Sequence, residues 1–174
     1  MIKGGRGGGR TITGLHFEKR SDLAAVFLTI PGYSITGNDL FFRGKKVASL
    51  YPKNKLYKQF LEPRGVDSKK ILSKKLLPDN AVYVYAHKTL FIVELKFQET
   101  PGSVDEKLQT CDFKNKQYHK LLKKIGADVK YIYVLSDWFK KDEYKDVREY
   151  IENVGCKYFF NILPIEFLGL PKPQ

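Results

Sequence analysis

The sequence predicts a single α/β domain built on a mixed β-sheet flanked by helices. Three observations predict it. Residues 82–85, 90–95 and 129–135 are short runs of β-branched and aromatic residues, the composition of buried strands. Residues 103–125 and 142–154 carry apolar side chains at helical spacing. The resulting succession of strand, helix, strand, helix and strand requires crossover connections, and those give parallel neighbours within a sheet.

Taken in order, the chain opens on Gly4-Gly5-Arg6-Gly7-Gly8-Gly9-Arg10, a glycine-rich stretch that holds no single backbone conformation by itself. Residues 1–13 are therefore expected as a flexible arm, with Arg6 and Arg10 either meeting DNA phosphates or the minor groove, or belonging to a disordered leader. From Gly14 the spacing of Leu15, Phe17, Leu23, Val26 and Phe27 predicts a helix with Glu18 and Asp22 among its acids, ended by Pro31-Gly32. Residues 40–42 and 47–51 flank Arg43-Gly44-Lys45-Lys46 and predict a hairpin with a basic tip. Residues 54–61 read as a short helix closed by Pro63 and Gly65, followed by a stretch containing Lys69, Lys70, Lys74 and Lys75. His87-Lys88-Thr89 is a hairpin turn between the strands at 82–85 and 90–95. Ser103 with Glu106 forms a capping box that opens a long helix to about Ile125, with Gly126 as its stop. A helix over 142–154 and a strand over 156–163 complete the fold.

At 174 residues the chain is the size of one domain, 14–174 after the arm. Lysine and arginine number 31 against 19 acids, for a net charge of +12, which in a folded domain points to a polyanionic partner. A solubilising lysine surface is the plainer explanation of the same charge. No apolar run approaches membrane-helix length and the N-terminus lacks a signal peptide's apolar stretch, so a soluble, cytoplasmic protein is expected. Cys111 and Cys156 have no metal-type spacing, so neither a disulfide framework nor zinc is indicated.

The chemistry concentrates in Pro78-Asp79 and, across one strand pair, Glu94-Leu95-Lys96. Side chains alternate along a strand, so Glu94 and Lys96 share a face, about 6–7 Å apart. An acid ending the apolar run 90–93 is disfavoured in a buried strand unless paired or metal-bound. Two carboxylates and an ammonium converging at paired strand ends are what magnesium-dependent hydrolysis of a phosphate ester needs. An ordinary solvated hairpin is the alternative. Lys74 and Lys75, just before this motif, are candidates for backbone phosphates, and Arg6, Arg10, Arg43, Lys45 and Lys46 for base contacts.

This arrangement resembles the PD-(D/E)XK nuclease superfamily, most closely a small type II restriction endonuclease: Pro78, Asp79, Glu94 and Lys96 complete its motif, and residues 14–136 follow its α-β-β-β-α-β order. The resemblance implies a restriction-endonuclease-like core and a magnesium-dependent endonuclease, with manganese able to substitute, that cuts double-stranded DNA to 5′-phosphate and 3′-hydroxyl ends. Asp79, Glu94 and the Leu95 carbonyl resemble the metal ligands, and Lys96 the residue that orients the attacking water. Gln98 stands where some branches carry a further polar residue, and Glu18 resembles the acid of the first helix, though it could equally favour the helix N-terminus. Gln117 and Tyr118 resemble the glutamine and tyrosine of recombination-type exonucleases but depart from their spacing. A homodimer, or a subunit beside a larger nuclease, is the expected assembly. A Holliday-junction resolvase and a non-catalytic nucleic-acid-binding module are the other readings.

Overall fold

The computed structural model describes residues 14–17, 22–99 and 104–173. Among these, a seven-stranded mixed sheet runs β2-β3-β4-β5-β6-β7-β8. Its strands are β2 (Tyr33–Thr36), β3 (Asp39–Phe42), β4 (Lys45–Leu50), β5 (Asn80–Val84), β6 (Thr89–Lys96), β7 (Asp128–Leu135) and β8 (Lys157–Phe160). Neighbours from β2 through β6 are antiparallel, and β6, β7 and β8 run parallel. A separate ribbon pairs β1 (Gly14–His16) with β9 (Ile162–Pro164). The α/β class, the mixed sheet and its flanking helices match the expectation from sequence.

The sheet separates two apolar layers, and the period-two alternation of its strands supplies both. Leu90 and Ile92 of β6, with Tyr131, Tyr133 and Leu135 of β7, face one layer. There they meet the π-helical segment Leu56–Leu61, α2 (Ser68–Ile71), α4 (Cys111–Leu122) and α5 (Lys145–Asn153). Phe91, Val93, Ile132 and Val134 face the other, against α1 (Leu23–Leu28), the β1–β9 ribbon and the 3₁₀ turn Ile165–Leu168. Both strands of the β6–β7 pair are thus buried on their two faces, which is why these runs read as continuous apolar sequence.

Three expectations are corrected. The segment from Gly14 is not helical: Gly14–His16 is a strand, because Leu15 and Phe17 both enter the core and Gly14 packs on Ile162 and Leu163 of β9 too closely for a side chain. Helix α1 starts only at Leu23, where Asp22 accepts a hydrogen bond from the Ala24 N–H at 3.1 Å. The long helix expected to Ile125 divides into α3 (Val104–Leu108) and α4, with the Thr110 hydroxyl capping the Lys107 carbonyl at 2.7 Å; Ser103 lies outside the described residues. The strand expected over 156–163 breaks at Asn161, whose φ of +57° is left-handed, so β8 and β9 join different sheets. Gly126 does end the α4 region, in the left-handed conformation at φ +61°.

Among the described residues, no helix is long and apolar enough to cross a membrane. Cys111 and Cys156 are buried free thiols.

Candidate active site

The β5–β6 hairpin places the motif. Asn80 is opposite Val93 and Ala81 opposite Ile92, so Asp79 arrives beside Glu94 at the open end of the pair. The Asp79 N–H points to Glu94 Oε1 at 3.4 Å. Glu94 and Lys96 continue the row begun by Leu90 and Ile92 and so lie on the α4 side of the sheet, as strand alternation requires. The Glu94 side chain is only 7% exposed, and those of Lys96 and Asp79 are 15% and 47% exposed.

The Lys96 ammonium sits at the focus of three oxygens. Its Nζ lies 3.0 Å from Glu94 Oε2, 3.3 Å from the Leu95 carbonyl and 3.4 Å from Asp79 Oδ2. A cation thus occupies the point on which the three proposed metal donors converge. All three donors are hard oxygens, and two carboxylates are the usual protein share of a magnesium site that keeps its waters and takes up substrate phosphate. Among the described residues, no three His, Cys, Asp or Glu side chains group closely enough to hold a metal by themselves.

Tyrosines form the floor beneath this cluster. The Tyr57 hydroxyl donates to the Leu76 carbonyl at 2.7 Å and accepts from the Leu76 N–H at 2.9 Å, anchoring the chain that leads into Pro78-Asp79. Tyr118 of α4 donates to the same carbonyl at 3.3 Å. Burial above all, then the neighbouring Tyr57 hydroxyl and the carboxylates of Glu94 and Asp79, pushes the Tyr118 hydroxyl far above the ordinary tyrosine range. The Tyr131 hydroxyl is raised likewise, by burial and then by Glu94. Both stay neutral, so the floor adds no anion to the two carboxylates.

The structure brings in two residues that sequence reasoning missed. Lys114 Nζ lies 3.9 Å from Glu94 Oε2, its side chain 27% exposed. Its signal was a lysine within the inward stripe Cys111, Tyr118, Leu121 and Leu122 of α4. Lys53, exposed and in the left-handed region at φ +51°, donates its N–H to the Pro78 carbonyl at 2.9 Å and flanks the motif. No local pattern announces it.

The remaining candidates are scattered. The backbone of Gln98 is held by Ser136, which accepts from its N–H at 3.2 Å and donates to its carbonyl at 3.1 Å; its side chain is buried. Lys74 is exposed in the approach to Pro78, and Lys75 lies over the Tyr57 ring and 3.9 Å from Glu62. Arg43, Lys45 and Lys46 tip the β3–β4 hairpin, at the opposite end of the sheet from Asp79, about eight strand residues or 25 Å away. Lys46 is also paired with Asp39 at 2.7 Å. Gln117 lies with Phe113 and Lys120 on the outer side of α4, turned from the site. Glu18, Arg6 and Arg10 lie outside the described residues.

No protein-family model, curated protein or solved structure matches this chain.

Proposed function

We propose that the chain is a magnesium-dependent endonuclease with a restriction-endonuclease-like core, hydrolysing phosphodiester bonds of double-stranded DNA. The observation that carries this reading is the convergence of Asp79 Oδ2, Glu94 Oε2 and the Leu95 carbonyl on one cation, within 3.4 Å of Lys96 Nζ. A solvated hairpin would leave this carboxylate in water, whereas the Glu94 side chain is 7% exposed. The strand order supports it further: the antiparallel β4-β5-β6 meander, helix α4 and the parallel strand β7 follow the α-β-β-β-α-β order from its strands onward. The net charge of +12 is in keeping with a polyanionic substrate.

In this reading Asp79, Glu94 and the Leu95 carbonyl hold magnesium or manganese. The ion, when bound, supplies a Lewis acid for the phosphate and lowers the pKa of water. Lys96, whose ammonium lies beside these oxygens, would donate to the attacking water and to the charge gathering on the phosphate. Glu94, buried at the sheet end, fixes both partners in place through the rigidity of β6. One water is consumed: its oxygen bonds phosphorus, the bond to the 3′-oxygen breaks, and a 5′-phosphate and a 3′-hydroxyl result.

Digestion of supercoiled plasmid tests the class of enzyme. A discrete set of fragments whose ends reseal with DNA ligase without added kinase fits a sequence-specific endonuclease making 5′-phosphates. Selective cutting of four-way junctions would assign a resolvase instead. Binding without cutting would reduce the chain to a nucleic-acid-binding module.

A further inference from the structure

We infer that Lys114 is a second catalytic cation of this site, one that touches the phosphate being cut. The inference rests on the nuclease reading above and extends it to helix α4, which the motif does not include. Lys114 precedes Tyr118 by one helical turn and lies on the same inward side as Tyr118, Leu121 and Leu122. That phase turns its ammonium toward the sheet end, 3.9 Å from Glu94 Oε2. Lys116, two residues on, is instead outward and closed off in a 2.7 Å pair with Asp112.

Neutralising Glu94 does not explain Lys114. Lys96 already meets the same oxygen at 3.0 Å, whereas 3.9 Å is too long for a hydrogen bond from Lys114. A second, largely covered ammonium loses solvation there without gaining a partner of its own. Its position makes sense once charge is counted for the loaded site. Asp79 and Glu94 balance Lys96 and Lys114, so the four groups sum to zero. A divalent cation brings the site to +2, and a phosphodiester under attack carries a charge approaching −2. Without Lys114 the match falls one charge short, on the side of the phosphate that α4 faces.

The test compares full-length wild type with Lys114→Gln, Lys114→Arg and, as a surface control, Lys116→Gln. Calcium or manganese binding is titrated calorimetrically without DNA, and single-turnover cleavage is measured with magnesium on plasmid. Removing a like charge beside the metal donors should tighten metal binding about three- to tenfold in Lys114→Gln. The same variant should lose about a hundredfold in the cleavage rate with little change in KM. Lys114→Arg should recover most of that rate, and Lys116→Gln should match wild type. Tighter metal binding with slower cutting is a pair of changes that a mere packing defect does not produce, since a distorted site would weaken both. If Lys114→Gln cuts at the wild-type rate while wild type cuts and Glu94→Gln does not, the inference falls and the nuclease reading stands. If wild type cuts no DNA with magnesium, both fall.

Discussion

A buried carboxylate at the end of an apolar strand was the clearest message in the sequence, and the reason is geometric. Strand periodicity fixes which residues share a face without knowledge of the fold, so Glu94 and Lys96 were legible, and the hairpin register then delivered Asp79 beside them. Lys114 was not legible in the same way. Its approach to Glu94 depends on the phase at which α4 packs on the sheet, which only tertiary structure sets. The same cluster makes a prediction about stability. Lys96 is the cation on which Asp79 and Glu94 converge, so Lys96→Met leaves two neighbouring carboxylates facing each other. Thermal unfolding should show a loss of about 1–3 kcal/mol without metal. Millimolar calcium should then raise the melting temperature of Lys96→Met more than that of wild type, because the ion replaces the missing ammonium. Equal metal shifts in the two proteins would mean that these oxygens do not bind the ion.

Elements were legible where local signals dominated and illegible where distant pairing overrode them. Strands β5, β6 and β7, the basic β3–β4 hairpin and the stop at Gly126 all follow local composition. Gly14–His16 did not, because its partner β9 lies almost the whole chain away and the spacing of Leu15 and Phe17 fits either element. Strand β2 escaped notice because Tyr33–Thr36 alternates weakly and sits among turn residues. The π-helical segment Leu56–Leu61 has a consequence for the site. It directs Tyr57 to both backbone groups of Leu76, and so fixes the segment that carries Pro78 and Asp79. Tyr57→Phe takes the acceptor from the Leu76 N–H and leaves its carbonyl only the longer bond from Tyr118, and should destabilise the protein by about 1–3 kcal/mol. Hydrogen exchange at residues 74–78 should quicken in that variant while the β6–β7 amides keep their protection. Uniform loss of protection across the sheet would show that Tyr57 supports the whole fold rather than this segment.

At the scale of the molecule, the sheet has two ends, and the candidate chemistry occupies one. Lys53 lies at that end beside Pro78, with Lys55 next to it on Asn38 and Lys140 and Lys141 following β7, whereas the basic hairpin expected from sequence to meet DNA lies at the other. Composition reports the total charge but not its placement, so this distribution could not be read from the chain. DNA drawn to the Asp79–Glu94 end should therefore depend more on Lys53 and Lys55 than on Lys45 and Lys46. In salt titrations of duplex binding, Lys53→Ala with Lys55→Ala should reduce the slope of log affinity against log salt by about 2, one for each phosphate that a lysine no longer neutralises. Lys45→Ala with Lys46→Ala should leave it nearly unchanged. The reverse ranking would move the DNA path to the hairpin end.

The central claim is that Asp79, Glu94 and Lys96 hydrolyse DNA with a divalent metal. Plasmid cleavage by wild type, Glu94→Ala and Lys96→Ala, each assayed with magnesium and with chelator, tests it most directly. The account predicts that wild type cuts with magnesium and not with chelator, while both variants bind DNA and leave it intact. Cutting by either variant at the wild-type rate, or cutting by wild type in chelator, would contradict it.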